Sequence, residues 1–587
     1  MTNASAFPGE QLYIDGLVPL LIGVTGHRDL VPDEVPQIRR RVHEFLLSMR
    51  ERFADRPLEV LSPLAEGSDR LVADIAVELG IALVVPLPMS RDLYVQDFQT
   101  PESRGRFEQL CARASAVYEL PVTAGWTAAD IAAPGGARNR QYAQLGVFLC
   151  AHSHVLLALW DGKPSEEVGG TAQVVRFHHD DVMAGYGETE QINRQLLADD
   201  ESDLVYHIAV SRDRPDGAPL AGLAPGSAEW FTTDPVSPRT AEIPEAYVRI
   251  FERTSLFNRD ARAHRHRIHA ESWSLAEPDT ADRLPAETRR IDLLFRAADW
   301  LAITYQQRLF STLRITHGLA FLMGITFIFY SDVEAQRAFM FAFFGCLLSA
   351  VALHTVAARG EWHSRYLEYR ALAEGLRIQF YWAAAGVVGD SATKYAYDNF
   401  LQKQDIELGW IRNVMRAAGI GCDVAPSTDP IGLRFAIREW IGDETKIGQL
   451  SYYRRKAASY IERSRQLERL GQVIGAIVTV LLVGMVLAPS SAIRDPLFVT
   501  VGVLLLSVSI RRAYSHRVAE KEVIKQYEFM YKIFWNARRR LDEASNDADR
   551  RRILRALGEA ALDEHAEWIL LHRDRPMEQG GLWRMEA

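Results

Sequence analysis

ITHGLAFLMGITFIFY, at residues 315–330, contains no Asp, Glu, Lys or Arg and is the first of four apolar runs in the C-terminal half of the chain. The other three occupy residues 338–358, 470–488 and 496–510. Runs of this length extend roughly 22 to 32 Å as helices, and the hydrocarbon layer of a bilayer is about 30 Å thick. The sequence therefore predicts four transmembrane helices in two hairpins, because a short loop separates the members of each pair. Two buried hairpins in a soluble bundle are the alternative.

Basic residues flank the same side of both hairpins. Arg314 precedes the first run and Arg359 follows the second, whereas Arg469 precedes the third and Arg511 follows the fourth. The positive-inside rule places these ends in the cytoplasm. The N-terminal sequence has no basic segment followed by a long apolar core, so we expect no secretory signal. We expect a multi-pass protein of the cell inner membrane with both termini cytoplasmic.

Composition excludes several classes of protein. The 587 residues are enough for several domains, and 48% hydrophobic with 24% charged residues is ordinary for a folded protein. A net charge of -9 argues against a nucleic-acid partner held by a general basic field. The 4 cysteines form no CxxC pair, and the histidine clusters lack metal-ligand spacing. We therefore predict no nucleic-acid partner, no metal and no cofactor.

The N-terminal third has an α/β pattern. Apolar runs such as VPLLIGV, IALVVPL and HVLLALW alternate with amphipathic segments of helical length between residues 18 and 210. Strands buried on both faces of a parallel sheet have this continuous apolar character. We predict a doubly wound, Rossmann-like sheet. A segment rich in Pro and Gly follows at residues 211–245 and predicts a linker.

These patterns divide the chain into seven segments. They are an N-terminal extension (1–17), a ligand-binding α/β domain (18–210), the linker (211–245), a first two-span helical module (246–390), connecting cytoplasmic helices (391–448), a second two-span module (449–545) and a C-terminal helical tail (546–587).

The loops that follow the predicted strands hold the candidate binding residues. In an open parallel sheet, ligands bind beyond the carboxyl ends of the strands, where helix N-termini offer free N–H groups. Three of these loops contain glycine and would converge on one crevice, although each by itself is also compatible with a capped turn. A helix start near Gly136 adds cations and an aromatic ring. The candidate residues are Gly23, Thr25, Gly26, Arg28, Glu66, Gly67, Ser68, Asp69, Arg138, Tyr142, Asp161, Gly169, Gly170 and Thr171.

Several of these motifs resemble a known superfamily. GVTGHRDL at 23–30, PLAEGSDRLVADIA at 63–76, and VLLALWDG at 155–162 followed by GGT are similar to the SLOG superfamily of Rossmann-like domains. The resemblance implies a nucleotide-derived ligand. Some members are phosphoribohydrolases with the motif PGGxGTxxE, but here Val168 precedes the Gly pair and Val174 stands in place of the Glu. Valine cannot transfer a proton, so a sensor is favoured over a hydrolase.

The membrane half resembles a second family. HSRYLEYRALAEGLR at 363–377 and WIGDETKIGQLSYYRRKA at 440–457 are similar to the SLATT domain, a two-span effector module. This resemblance implies homo-oligomeric assembly and a pore or another membrane-disrupting action in bacterial conflict systems.

The sequence thus predicts a membrane-anchored sensor and effector that binds a nucleotide-derived signal and permeabilises the bilayer. No Ser, Cys or Thr lies in a recognised nucleophile motif, which favours a binding protein over an enzyme. The alternatives are a membrane-tethered phosphoribohydrolase-type enzyme and a non-conducting membrane scaffold.

Overall fold

The computed structural model describes most of the chain, in two compact units. The described residues are 16–123, 125–180, 183, 203–234, 236–387, 400–401, 406–422, 424, 429–445, 448–487 and 490–573. The first unit, called the sheet unit here, comprises Met1–Ala298 and Leu372–Leu433. The second, called the helical unit, comprises Asp299–Ala371 and Arg434–Ala587. Almost all of the predicted N-terminal extension, part of the connecting segment and the end of the C-terminal tail lie outside the described residues.

An eight-stranded mixed sheet organises the sheet unit. Its strands are β1 Leu20–Gly26, β2 Leu58–Leu61, β3 Ala82–Leu87, β4 Ala116–Glu119, β5 Val155–Trp160, β6 Val205–Ala209, β7 Ala228–Phe231 and β8 Arg239–Thr240. The strand order is β4-β3-β2-β1-β5-β6-β7-β8. The first six strands in the chain pair in parallel, and β7 and β8 add two antiparallel strands at one edge. The central strands β2 and β5 are buried along their whole length, as the continuous apolar runs predicted.

Helices follow most of these strands. Within the sheet unit they are α1 Val35–Arg52, α2 Ser68–Glu78, α3 Arg91–Tyr94, α4 Pro101–Arg113, α5 Gly136–His152, α6 Thr171–Asp180, α7 Glu245–Ala263, α8 Arg265–Glu271 and α9 Pro278–Ala281. The longer helices bury one face: α1, for example, buries Ile38, Val42, Phe45 and Met49 at helical spacing.

The structure differs from the sequence prediction at the segment expected to be a linker. Residues 211–245 contain β7 and β8, and β7 pairs with β6. Trp230 of β7 is buried, and its ring lies 4.9 Å from that of Tyr206. The Pro and Gly residues of this segment therefore mark the turns around two short strands, which the composition of the whole segment conceals.

A helix from later in the chain also belongs to the sheet unit. The helix α13 Gly409–Ala418 packs against α5 and α7 and is buried along its length. Its carbonyl oxygens contact two buried histidines: the Nδ1 atom of His152 lies 3.0 Å from the Arg416 oxygen, and the Nε2 atom of His154 lies 2.9 Å from the Asn413 oxygen. The segment predicted as connecting helices thus contributes to the core that supports the sheet.

Long helices dominate the rest of the chain. They are α10 Thr288–Asp332, α11 Arg337–Arg359, α12 Trp362–Ala385, α14 Pro430–Ala436, α15 Gly448–Leu487, α16 Ser491–Arg517, α17 Glu520–Glu543 and α18 Asp547–Arg573. The two-unit division falls inside α10 and α12, and between Leu433 and Arg434 in α14.

Four described helices, α10, α11, α15 and α16, are long and apolar enough to cross a membrane. In the most apolar 18-residue stretch of each helix, only 6% to 11% of the residues are buried within the structure. Phe341, for example, is 74% exposed and Val486 is 85% exposed. Helices buried in a soluble bundle would hide these side chains, so the exposure favours lipid contact over that alternative.

The exposed apolar side chains of these four helices predict how the protein behaves when membranes are extracted. We expect the full-length protein to stay in the membrane pellet after alkaline carbonate extraction and to require detergent for release, because water would otherwise contact four apolar helices. Western blotting of the fractions, with a peripheral membrane protein as the control, measures this. Recovery of a monodisperse protein in the carbonate supernatant would contradict the membrane assignment.

The buried histidine of α5 predicts acid sensitivity. Burial lowers the pKa of His152 to about 3, against 6.5 for an ordinary histidine. The unfolded state then binds more protons than the folded state between these values. The contribution of the neutral His152 side chain to the free energy of unfolding is complete above pH 6.5. It falls by about 1.4 kcal/mol per pH unit as the pH drops towards 3.

We expect urea unfolding of the detergent-solubilised protein at pH 7, 6 and 5 to show this loss, and the His152→Gln variant to lose less stability per pH unit. An identical pH slope in the variant would show that His152 does not contribute.

Candidate ligand-binding site

A cavity of about 550 Å³ opens at the carboxyl ends of β1 and β5. These strands are neighbours in the sheet, although β2 follows β1 on its other side. The direction of strand addition therefore reverses between β1 and β5, and open α/β sheets bind ligands beyond the strand ends at such a reversal. The volume lies within the range of about 300 to 1,000 Å³ that small-molecule sites occupy.

The loop after β1 forms one wall of this cavity, with Thr25, Gly26 and Arg28 among its residues. A side chain at Gly26 would collide with that of Ser68, so glycine permits the loop to approach the start of α2. The Ser68 hydroxyl donates to the His27 carbonyl oxygen at 2.8 Å. The backbone of the β1 loop is therefore held in place by the next helix.

A histidine links the loops after β1 and β5. Burial lowers the pKa of His27, so its ring is neutral near pH 7. Its Nε2 atom lies 3.1 Å from the backbone nitrogen of Asp161 and 3.2 Å from an oxygen of the Asp161 carboxylate. The Asp161 carboxylate accepts the backbone N–H of Lys163 at 3.0 Å. These contacts fix the spacing of the loops after β1 and β5.

Asp69 brings a buried carboxyl group to the cavity. It lies in the first turn of α2 and is 5% exposed. Burial raises its pKa to about 7, while the charge of Arg28 and a backbone N–H hydrogen bond from Ala65 act in the opposite direction. Its Oδ1 atom has no hydrogen-bond partner among the described residues. A ligand hydroxyl or amino group would satisfy this atom, because leaving it without a partner costs about 1 to 3 kcal/mol.

An arginine and a tyrosine face the same space. The Arg28 guanidinium lies 5.6 Å from the centroid of the Tyr142 ring. The Tyr142 hydroxyl donates to Asp97, and Asp97 also pairs with Arg138 at 2.6 Å. Arg138 thus orients Tyr142 through Asp97. Arg138 is one of the candidate binding residues from the sequence, but its side chain does not line the cavity.

The loop between β5 and α6 closes the opposite wall. Gly169 has φ of +80°, and a Cβ there would lie 2.8 Å from the Cβ of Tyr142. Glycine is therefore needed for both the backbone conformation and the close packing against α5. Gly170 and Thr171 follow, and α6 begins at Thr171. The helix presents its N-terminal N–H groups and positive dipole end to the cavity, a favourable place for an anion.

Two arginines from beyond the predicted domain complete the site. Arg212 and Arg214 follow β6 and line the cavity. The Arg212 Nε atom contacts both carboxylate oxygens of Asp29, at 2.9 and 3.0 Å. Sequence reasoning missed these residues because it assigned them to the linker. Their position directly after a strand was the signal that could have identified them.

Nine of the fourteen candidate residues line the cavity. They are Thr25, Gly26, Arg28, Asp69, Tyr142, Asp161, Gly169, Gly170 and Thr171. The other five, Gly23, Glu66, Gly67, Ser68 and Arg138, do not line it. They have structural contacts instead: a Cβ at Gly23 would collide with Ser153, and Glu66 accepts the hydroxyl of Ser103.

The site is equipped for binding a small polar molecule. Arg28, Lys163, Arg212 and Arg214 balance Asp29, Asp69, Asp161 and Glu167 around its walls. No group of three or more His, Cys, Asp or Glu side chains within the described residues is arranged to hold a metal ion.

No protein-family model matches the chain, and no curated protein matches it significantly. The geometry of the site therefore carries the functional conclusion.

The contact of Gly169 predicts a measurable loss of stability. Gly80 is a matched control, because it also has positive φ, at +68°, but a Cβ there would meet no atom within 4 Å. We expect Gly80→Ala to cost about 1 kcal/mol from backbone strain, and Gly169→Ala to cost at least 1 kcal/mol more, because it adds a collision with α5. Urea unfolding of the two variants tests this, and equal losses would contradict the close packing at Gly169.

Proposed function

We propose that the sheet unit binds a nucleotide-derived ligand and that the protein is a membrane-anchored sensor and effector. The observation that carries the proposal is the cavity between β1 and β5, where a helix N-terminus, arginines and a buried carboxyl group without a full set of partners face one space. The strand order supports a Rossmann-like assignment, because β2, β3 and β4 add in parallel on one side of β1 and β5 and β6 add in parallel on the other.

The two ends of a nucleotide match different parts of the site. Phosphate oxygens are suited to the N-terminus of α6 and to the guanidinium of Arg28, which forms charge-assisted hydrogen bonds with anions. A ribose hydroxyl or a base amino group is suited to the Oδ1 atom of Asp69. The Tyr142 ring offers an apolar face beside these groups.

The helical hairpins of the C-terminal half are the part that acts on the membrane. The hairpins α10–α11 and α15–α16 expose apolar side chains that suit a bilayer. The flanking arginines support a cytoplasmic position for both termini. We place the protein in the cell inner membrane of a bacterium as a homo-oligomer, in line with the SLOG and SLATT resemblances. A ligand that binds two conformations with different affinity shifts their populations, and permeabilisation of the membrane follows from that shift.

Ligand binding is tested with the full-length protein in detergent. We expect one compound in a panel of nucleoside mono-, di- and triphosphates, ADP-ribose and NAD+ to give saturable binding by isothermal titration calorimetry. Arg28→Gln should weaken it about tenfold or more, since a charge-assisted hydrogen bond is lost. Arg40→Gln is the control, because Arg40 is an exposed cation on α1 that does not line the cavity.

The Asp69→Asn variant tests the role of the buried carboxyl group. For a ligand that donates to this carboxylate, affinity should rise as the pH increases through about 7, and the variant should lose this pH dependence. Failure of the whole panel to bind, or equal weakening by Arg40→Gln, would refute the ligand site.

The effector part requires a separate measurement. In liposomes loaded with a self-quenching dye, the bound compound should release dye from vesicles that contain the wild-type protein and not from those that contain Arg28→Gln. Binding without dye release would retain the sensor and overturn permeabilisation.

A phosphoribohydrolase-type enzyme is the second candidate. A carboxyl group whose pKa is raised to about 7 is suited to proton transfer at neutral pH, and Asp69 has this property inside the cavity. Release of free base from a nucleoside monophosphate, abolished by Asp69→Asn and retained by Arg40→Gln, would establish the enzyme.

A further inference from the structure

A second cavity, of about 410 Å³, lies within the helical unit. Side chains from α10, α12, α15, α16, α17 and α18 line it. None of these residues belongs to the ligand site of the sheet unit. The cavity is therefore separate from the proposed nucleotide site, with which it shares no lining residue.

One end of this cavity lies next to two of the predicted membrane spans. Leu313, on its wall, stands two residues before the apolar run at 315–330. Arg517, also on its wall, stands two turns after the apolar run at 496–510 ends. Both helices enter the predicted hydrocarbon layer next to the cavity, so a lipid headgroup at the bilayer surface is close to its opening.

The walls carry an excess of positive charge. Arg370, Lys456 and Arg517 contribute cations, and Glu520 is the one acidic residue among the described residues that line the cavity. The Glu520 carboxylate is already occupied, by Arg511 at 2.9 Å and by the Ser515 hydroxyl at 2.5 Å. The Arg370 guanidinium forms an ion pair with the Asp299 carboxylate, at 3.3 Å. Among the described side chains that line the cavity, three Arg and Lys cations thus face one carboxylate, and this difference attracts an anion.

Tyrosine hydroxyl groups add neutral donors to these cations. Tyr366, Tyr452, Tyr453, Tyr460 and Tyr527 all contribute to the walls. Burial raises the pKa of Tyr366 and of Tyr460, so both hydroxyl groups keep their protons at neutral pH. Trp568 packs edge-on against Tyr366, with ring centroids 6.0 Å apart, and holds that ring in place.

The same cavity has an apolar side. Leu309 and Leu313 of α10 and Val523 of α17 line it. A ligand with an anionic group and an apolar arm would match both sides, whereas a purely apolar molecule would leave the cations and hydroxyl groups without partners.

We propose that this cavity binds a phosphate-bearing headgroup, with its phosphate between Lys456 and Arg517 and an apolar arm along Leu309 and Leu313. A phosphate presents several oxygens at once and so uses the cations and the hydroxyl donors together. Basic sites between membrane helices bind phospholipid headgroups in this way. An anionic phospholipid and a soluble phosphate ester share this chemistry, and the experiment distinguishes them.

The test uses the full-length protein in detergent and native mass spectrometry, which counts bound molecules directly. The probes are short-chain phosphatidylglycerol, glycerol 1-phosphate and a short-chain diacylglycerol that has no phosphate. We expect phosphatidylglycerol to bind, and the double variant Lys456→Gln/Arg517→Gln to weaken it about tenfold or more. Arg512→Gln is the matched control, because Arg512 is an exposed arginine on the same helix as Arg517 and does not line the cavity.

A second variant separates binding from folding. Tyr366→Phe removes one hydroxyl group and keeps the aromatic ring that Trp568 packs against. We expect it to weaken phosphatidylglycerol binding a few-fold, because a neutral hydrogen bond is worth about 1 kcal/mol. The variant also removes the acceptor of the Gln306 amide at 3.0 Å, so the unfolding temperature without lipid should fall only slightly.

Each outcome decides the proposal. Selective binding of phosphatidylglycerol supports it with a lipid source, and binding of glycerol 1-phosphate with the same dependence on Lys456 and Arg517 supports it with a soluble source. Equal binding of the diacylglycerol, equal weakening by Arg512→Gln, or no binding by any probe overturns it.

Discussion

The close approach of the β1 loop to the start of α2 is the constraint on which the sheet unit depends. At Gly26 there is no room for a side chain, because the Ser68 side chain fills the space. Ser68 in turn donates to the carbonyl oxygen of His27 and holds the loop. On the other side of β1, the Asp161 backbone bonds to the His27 ring. Three chain segments distant in sequence therefore meet at one point, and the cavity between β1 and β5 exists because they do.

The charged side chains around the cavity between β1 and β5 balance one another, so they favour selection between ligands more than general attraction of anions or cations. Four cationic and four acidic side chains line the cavity, and the Arg212–Asp29 pair is satisfied within the protein. A molecule that binds here gains most at the groups that remain incompletely paired, such as the Oδ1 atom of Asp69. Buried polar groups of this kind penalise any ligand that cannot pair with them, and this penalty discriminates between similar ligands.

In the helical unit, apolar and polar side chains lie in different places. Its membrane-length helices turn apolar side chains outward, since lipid accepts them at no cost. Polar and aromatic side chains collect instead where these helices leave the apolar runs, around the cavity that contains Lys456, Tyr366 and Arg517. Tyrosine and arginine suit this boundary because each combines an apolar body with a polar end. The same physical preference thus accounts for the polar and aromatic side chains that line the second cavity.

The sequence by itself determined the features that depend on neighbouring residues. Apolar runs of 15 to 21 residues predicted four membrane-length helices, and short apolar runs between amphipathic segments predicted an α/β sheet; both are present. Only the tertiary structure decided which side chains share the cavity. Arg138 pairs with Asp97 and lies outside its lining, whereas Arg212 reaches it from a segment whose Pro and Gly content suggested a linker. Local sequence patterns cannot predict which side chains line the cavity, because hydrogen bonding between strands far apart in sequence sets the strand order. That order brings residues 28, 161 and 212 together.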